Sequence, residues 1–185
     1  MMVQFLNAFI PTGNEKMMSE IIELLVFTDG SVNTKINFGY GAFLAVSDPG
    51  ISDSELNKLV KTKRFEPTSS TKLELETLLW ALSGVNDFKG KITLYTDSQN
   101  ILGLPGRRER LEKNDFYSKQ NRRITNWELY QAFYRLTDEL NIEIKKVSGH
   151  KKTSTKDNID RLFTIVDRAS RNAVRKENGA GNIQY

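Results

Sequence analysis

Five acidic residues stand where their carboxyl groups could work together. Asp29 and Asp97 each follow a strand-like apolar segment, "LLVFT" and "KITLYT", and Glu74 opens a helical pattern. Asp160 and Asp167 lie in the last helical pattern of the chain. Carboxylates that share one edge of a sheet repel each other, and a bound cation relieves that repulsion. With no cysteine and one histidine, oxygen ligands favour a hard ion such as Mg²⁺, or Mn²⁺, over zinc.

Each of these acids also has a purely structural interpretation. Asp29 begins an Asp-Gly pair, which is common in turns. The spacing from Thr71 to Glu74 fits a capping box at a helix start. Asp167 could form an exposed ion pair with Arg171, four residues further along the same helix.

Helical spacing separates the two glutamates of the segment "TKLELETLLWAL". Glu74 shares a helix side with Leu78 and Ala81, so we predict that it faces inward. Glu76 lies on the side of Trp80, and we predict that it faces water. The spacing therefore selects Glu74 as the candidate site residue.

Asp160 and Asp167 are one heptad apart on a single helix face. About 10 Å of helix rise separates them, so both cannot serve one compact site. Spacing alone leaves the choice between them open.

The chain alternates apolar patterns of strand and helix period in the order βββαβααβα. Predicted strands cover residues 21–28, 38–46, 59–66, 91–96 and 142–147. The main predicted helices begin near residues 70, 97, 126 and 158, and the last ends near residue 175. We predict an α/β fold with a five-stranded mixed sheet, in which three antiparallel strands are followed by parallel additions, with helices on both faces.

Composition narrows the class of protein. The 185 residues include 38% hydrophobic and 27% charged residues, typical of a globular chain, and no apolar run approaches the roughly 20 residues of a membrane span. The absence of cysteine fits a reducing compartment, so we expect a cytoplasmic protein, and a monomer. We expect an extension at residues 1–20, one domain at 21–176 and a tail at 177–185.

Positive charge is concentrated in one segment. The net charge is +4, and residues 107–123 carry seven basic and three acidic residues. Such an excess fits either a solvated surface or a site for an anionic partner.

Five motifs, in order, resemble those of type 1 ribonuclease H and of retroviral ribonuclease H domains: "FTDGS", "TKLELETLLWAL", "LYTDSQ", "VSGHKK" and "VDRASRNA". The resemblance covers about residues 21–176 and implies a ribonuclease H-like fold. It implies that Asp29, Glu74 and Asp97 are metal-binding, catalytic acids. The fourth acid is Asp167 by the match of "VDRASRNA", with Asp160 as the alternative because the preceding loop is longer than usual.

The resemblance also implies an activity, namely endonucleolytic hydrolysis of the RNA strand of an RNA–DNA hybrid. Two Mg²⁺ ions, or Mn²⁺, would act with the substrate, with no further cofactor and no membrane partner. Asp29 would bridge both ions, Glu74 and Asp97 would favour one, and Asp167 the other. His150 would assist proton transfer or product release, although a lone histidine in a loop can equally be solvated.

Substrate contacts follow from the same resemblance. Recognition of the 2′-hydroxyl falls to the backbone near Gly30 and Ser31 and to the helix start near Ser70 and Thr71. Ser98 and Gln99 are further expected substrate-binding residues. The DNA backbone would be held by six basic residues: Arg107, Arg108, Arg110, Lys119, Arg122 and Arg123. For Trp127 and Tyr130 we predict packing against the sheet rather than stacking on bases.

Two other functions use the same fold. A non-catalytic nucleic-acid-binding module would be free to lose the four acids, which this chain keeps. Related metal-dependent exonucleases usually carry a second acid two residues after the first, where this chain has Ser31.

Overall fold

Five strands and six helices make up the part of the chain that the structure describes. The structure is a computed structural model that describes residues 23–147 and 157–180. The strands are β1 (Glu23–Asn33), β2 (Phe38–Val46), β3 (Lys61–Phe65), β4 (Lys91–Thr96) and β5 (Ile142–Lys146). The helices are α1 (Asp53–Leu59), α2 (Ser70–Ser83), α3 (Gln99–Leu102), α4 (Leu104–Lys113), α5 (Trp127–Glu139) and α6 (Asn158–Ala180).

The strands form one mixed sheet in the order β3-β2-β1-β4-β5. β1 pairs antiparallel with β2 across a short link, and β2 pairs antiparallel with β3 although α1 lies between these two strands. β4 joins β1 in parallel, and β5 joins β4 in parallel, each after a helical crossover. The predicted five-stranded mixed sheet is confirmed.

Both faces of the sheet are covered. On one face, Val26 of β1 and Leu94 of β4 are fully buried in a core with apolar residues of α2 and α5. On the other face, Phe27 and Leu44 are fully buried against α6, and Leu56 of α1 joins that core. Because successive strand residues point to opposite faces, the apolar run of β1 supplies both cores. The predicted helices on both faces are confirmed.

β1 is longer than the sequence pattern predicts. It continues through Asp29 to Asn33, which pairs with Phe38 of β2, so the expected strand end before Asp29 was wrong. The pairing of β1 with β4 nevertheless stops at Phe27 and Tyr95. Beyond that pair, no strand of the described ranges covers this side of β1, so Asp29 lies at an open edge of the β1–β4 pair.

The helices differ from expectation in three places. α1 fills a segment for which no helix was predicted, and Ser52 caps it by accepting a hydrogen bond from the Glu55 amide at 3.4 Å. The helix predicted to begin near residue 97 is short, because α3 ends at Leu102 with Gly103 as its cap, and a separate helix, α4, follows. α6 continues past its expected end to Ala180. None of the helices within the described ranges is long and apolar enough to cross a membrane.

Candidate active site at the β1–β4 opening

Three of the predicted carboxylates line one pocket. Asp29 comes from β1, Glu74 from the second turn of α2 and Asp97 from the residue after β4. The rest of the lining consists of Thr28, Thr96 and Ile101. Residues far apart in the chain meet here because β1 and β4 are parallel neighbours, whose carboxyl ends share one edge of the sheet.

Asp29 is held by the helix on the opposite face of the sheet from α2. The hydroxyl of Ser170 in α6 donates to Oδ2 of Asp29 at 2.6 Å and also contacts the backbone carbonyl of Asp167 at 3.0 Å. Ser170 is fully buried. This contact links β1 to α6 directly beside the pocket.

The surroundings of Asp29 disfavour its charged form. Burial is the largest cause and raises the pKa of Asp29 to about 6 from an ordinary value of 3.8. The neighbouring carboxylates of Asp167 and Asp97 raise this pKa further, while the hydrogen bond from Ser170 lowers it. The site therefore concentrates negative charge at a half-buried position.

The carboxylate of Glu74 forms a hydrogen bond at the start of α3 and does not cap α2, the helix that contains it. Ser69 caps α2 by accepting the amide hydrogen of Lys72 at 3.4 Å, so the alternative interpretation of Thr71 and Glu74 as a capping box does not apply. Glu74 Oε2 instead accepts a hydrogen bond from the hydroxyl of Ser98 at 2.5 Å. Burial raises the pKa of Glu74, the hydrogen bond from Ser98 lowers it, and the charge of Asp97 raises it.

The other glutamate of α2 differs from expectation. Glu76 is half-buried, and its carboxylate accepts a hydrogen bond from Thr68 Oγ1 at 2.9 Å and lies 3.5 Å from Lys72 Nζ. The prediction that it faces water was wrong. Through Thr68, Glu76 connects the segment that precedes α2 to α2 itself, and Glu76 does not line the pocket.

Asp160 and Asp167 occupy different environments on α6. Asp160 is buried in a capping box: its carboxylate faces the amide of Asp157 at 3.3 Å, and its own amide donates to the carboxylate of Asp157 at 2.9 Å. Asp167 is close enough to Asp29 to raise its pKa. It also forms the expected ion pair with Arg171, at 2.7 Å from Nε to Oδ1. These contacts place Asp167, and not Asp160, beside the pocket.

Carboxylate oxygens are suitable ligands for a hard cation, but these side chains are too far apart in this structure to bind one ion together. Within residues 23–147 and 157–180, no three His, Asp or Glu side chains lie close enough together to hold a metal ion as they stand. Ser170 and Ser98 each hold one carboxylate, and like charges resist closer approach. A set made only of carboxylate oxygens fits Mg²⁺ or Mn²⁺ once side-chain rotation brings them together.

A comparison with family sequence profiles shows the protein family to which the chain belongs. The RNase H profile matches residues 22–174. The chain belongs to the RNase H family. RNase H membership supports a hydrolytic nuclease that acts on RNA–DNA hybrids, in a family that generally uses divalent metals. No curated protein matches the chain significantly.

Three solved structures that are similar to this chain come from foamy viruses. A foamy viral protease–reverse transcriptase in complex with dsDNA shares 10% identity at a TM-score of 0.58, covering 83% of this chain and 98% of that one. The PFV RNase H domain in solution shares 11% at 0.62, covering 81% and 92%. The native prototype foamy virus protease–reverse transcriptase shares 14% at 0.62, covering 80% of this chain but only 20% of that one. At these identities the likeness establishes the fold.

Four residues that the RNase H resemblance assigns to the substrate lie near the three carboxylates along the chain. Ser70 and Thr71 are exposed in the first turn of α2, and Gln99 is exposed two residues after Asp97. Ser31 is half-buried within β1, two residues beyond Asp29. Each of these positions is within four residues of Asp29, Glu74 or Asp97 in sequence.

Two other predicted substrate-binding residues, Gly30 and Ser98, have structural roles. Gly30 allows close packing of α2, since a Cβ there would lie 2.9 Å from Leu73 Cγ. Ser98 is buried and caps α3, while its hydroxyl donates to Glu74. In this structure Ser98 orients a carboxylate rather than facing solvent.

The six predicted backbone-binding basic residues divide into two groups. Arg107 donates to Asn100 and to the Gly103 carbonyl, and Arg108 pairs with Glu112 and Asp138. Arg123 pairs with Asp115 and lies over the rings of Tyr117 and Trp127. The remaining three are exposed and have no ion pair within the described part of the chain: Arg110, Lys119 and Arg122.

Two further predictions concern aromatic packing and histidine. Tyr130 is buried in the core beneath α5, and Trp127 packs against Phe116 with ring centroids 6.1 Å apart, so the predicted packing role is confirmed. His150 lies outside the described residues.

Sequence reasoning missed Ser170 as a site residue. Its position three residues after Asp167, on the buried side of an amphipathic helix, was the available signal. A buried serine at that spacing can hydrogen-bond to whatever acid the helix covers.

Proposed function

We propose that this RNase H family protein is an endonuclease that hydrolyses the RNA strand of RNA–DNA hybrids, using two divalent ions, Mg²⁺ or alternatively Mn²⁺. The observation that supports this proposal is the meeting of Asp29, Glu74 and Asp97 in one pocket, with Asp167 within electrostatic reach. Four carboxylates from four separate elements have no shared structural duty, whereas a cation site requires such a set.

The four acids, Asp29, Glu74, Asp97 and Asp167, would hold the ions. When bound, such ions activate water and stabilise the leaving 3′ oxygen. Ser170 and Ser98 donate to one carboxylate oxygen of Asp29 and of Glu74, and so orient these side chains in the metal-free protein. Ion binding would rotate the carboxylates toward each other against this restraint.

Strand choice requires a test for the 2′-hydroxyl, the group that separates RNA from DNA. Support comes from the exposed first turn of α2, where Ser70 and Thr71 precede Glu74 by four and three residues, and from Ser31, two residues beyond Asp29. Gln99, two residues after Asp97, would also contact the substrate. Gly30 and Ser98 would contribute through backbone groups. His150 would assist proton transfer or product release.

The DNA strand would be held through its phosphates by Arg110, Lys119 and Arg122. Such contacts are independent of sequence and weaken steeply with salt. We further propose a cytoplasmic monomer, since the cysteine-free composition fits a reducing compartment.

The proposal is tested by cleavage of three labelled substrates in parallel: an RNA–DNA hybrid, duplex RNA and duplex DNA, each with Mg²⁺ and with Mn²⁺. We expect cleavage only of the RNA strand of the hybrid, and its loss in Asp29→Asn. Equal attack on duplex DNA would contradict the proposal. Tight binding without cleavage in either metal would identify a binding module, and digestion of single-stranded DNA from an end would identify an exonuclease.

A further inference from the structure

Arg171 on α6 is held by only one of its three guanidinium nitrogens. Nε lies 2.7 Å from Oδ1 of Asp167. Neither terminal nitrogen makes a hydrogen bond to any residue in the ranges 23–147 and 157–180, and 47% of the Arg171 side chain is exposed. Most of the hydrogen-bonding capacity of Arg171 is therefore unused.

Two other arginines each donate several hydrogen bonds to neighbouring segments of the protein. Arg161, ten residues earlier on the same helix, donates from Nη1 to Asp53 at 2.6 Å and from Nη2 to the carbonyls of Pro49 and Ile51 at 2.8 and 3.0 Å. Arg107 donates hydrogen bonds from both Nε and Nη2. The contact pattern of Arg171 differs from both.

The ion pair that Arg171 forms is easily exchanged. An exposed pair four residues apart on a helix stabilises by about 0.3–0.5 kcal/mol. The planar guanidinium suits a phosphate, which can accept two parallel hydrogen bonds from it. A phosphate that approaches Asp167 can therefore take over the guanidinium at little cost.

The position of Arg171 brings it beside the candidate site. Residues four apart share one side of a helix, so Arg171 lies on the same side of α6 as Asp167, which is close enough to Asp29 to raise its pKa. We propose that Arg171 is a binding residue for a backbone phosphate of the nucleic acid next to the site. This inference rests on the proposed function for the identity of the ligand.

Arg168 provides a matched control on the same helix. It is exposed, it has no ion pair within the described part of the chain, and it points about 100° around the helix from Asp167. Replacing either arginine with glutamine changes the net charge equally. A difference between the two variants therefore reports position rather than charge.

The experiment measures binding of a fluorescein-labelled RNA–DNA hybrid by anisotropy in EDTA, across about 50–200 mM salt. We expect Arg171→Gln to weaken binding roughly fivefold. We expect it to reduce the slope of log affinity against log salt by about 1. Arg171→Lys should retain part of the affinity, and Arg168→Gln should match the parent. Equal weakening by both glutamine variants would overturn the inference.

A second arm separates direct contact from an effect through Asp167. In the Asp167→Asn background the carboxylate charge is gone, so an Arg171 that only supports Asp167 has nothing left to support. We expect Arg171→Gln to weaken hybrid binding in that background at least as much as in the parent. Disappearance of the effect would overturn the inference. Circular dichroism and thermal melting establish that all variants are folded.

The outcomes also separate this inference from the proposed function. If the parent cleaves hybrid but Arg171→Gln binds like Arg168→Gln, the inference fails while the proposed function stands. If the parent does not cleave but Arg171→Gln specifically weakens binding, the phosphate contact stands without the nuclease.

Discussion

At the scale of single residues, the burial of the Asp29 carboxyl group lowers the folding stability whenever that group is charged. Asp29 is half-buried beside two other carboxylates, and its pKa is raised to about 6. A carboxyl group with a raised pKa binds its proton more tightly in the folded state, so folding is favoured below the folded pKa and less favoured above it. Asp29 therefore does not stabilise the folded protein in its charged form, which indicates a role other than stability.

The free energy of unfolding should therefore fall as the pH rises from about 4 to about 6 in the metal-free protein. A shift of this size corresponds to at most about 3 kcal/mol. Asp29→Asn should raise the free energy of unfolding by about 1–3 kcal/mol above pH 7 and flatten this part of the pH profile. Urea denaturation in EDTA across the pH range measures both effects. A profile as steep in Asp29→Asn as in the parent would contradict the assignment.

The two aspartates of α6 should respond differently to the same substitution. Asp167→Asn should reduce hybrid cleavage to below about one hundredth of the parent rate, because it removes a charge beside Asp29. Asp160→Asn alters a helix cap, so it should keep activity within a few-fold and cost less than about 1 kcal/mol of stability. Cleavage rates and urea denaturation of both proteins test this pair. Full activity in Asp167→Asn would overturn the choice.

At the scale of elements, glycines let α2 approach the sheet closely. A Cβ at Gly41 of β2 would lie 2.0 Å from Thr77 Oγ1 and 2.9 Å from Thr77 Cβ. Thr77 follows Glu74 by three residues, so it is a neighbour of Glu74 on the surface of the helix. The distance between β2 and α2 thus helps to set how far Glu74 reaches into the pocket.

Gly41→Ala should therefore lower the free energy of unfolding by about 1–3 kcal/mol through overpacking. It should also slow hybrid cleavage, because α2 must move together with Glu74. Gly106→Ala is the matched control, since a Cβ there meets nothing within 4 Å and alanine favours the helix. Thr77→Ala, added to Gly41→Ala, should recover part of the stability. Equal stability of the two single variants would show that the contact is not tight.

At the scale of the whole molecule, the net charge of +4 is less informative than its distribution. Arg123 lies 4.0 Å from the centre of the Trp127 ring and pairs with Asp115, so it helps to hold the segment between α4 and α5. Lys119 and Arg122 are exposed in that same segment. One stretch of positive charge thus contains both structural and solvent-facing members.

These two groups should separate experimentally. Replacing both Lys119 and Arg122 with alanine should leave thermal stability unchanged and reduce the salt slope of hybrid binding by about 2. Arg123→Ala should instead lower stability by about 1 kcal/mol, because it loses ring contacts and an ion pair. Thermal melting and fluorescence anisotropy on the same proteins give both values. An unchanged salt slope in the double variant would remove these residues from the binding surface.

Local patterns predicted much of the sheet and the last helix. The apolar run before Asp29, the segment "KITLYT" and the amphipathic last helix were each located correctly, because burial on a strand or helix imposes a period on the sequence. The same reasoning failed for α1, a short polar helix in which only Leu56 is buried and whose pattern is correspondingly weak.

The sequence by itself determined which acids were candidates, the kind of cation that their oxygens would suit, and a mixed α/β sheet to carry them. Only the tertiary structure decided that β1 runs on past Asp29, that Ser170 reaches Asp29, and that Asp160 belongs to a helix cap whereas Asp167 lies by the pocket. The physical reason is the sequence separation of the interacting residues. Strand and helix periods depend on neighbours a few residues apart, whereas Ser170 and Asp29 are 141 residues apart and meet only when the sheet and α6 have packed together.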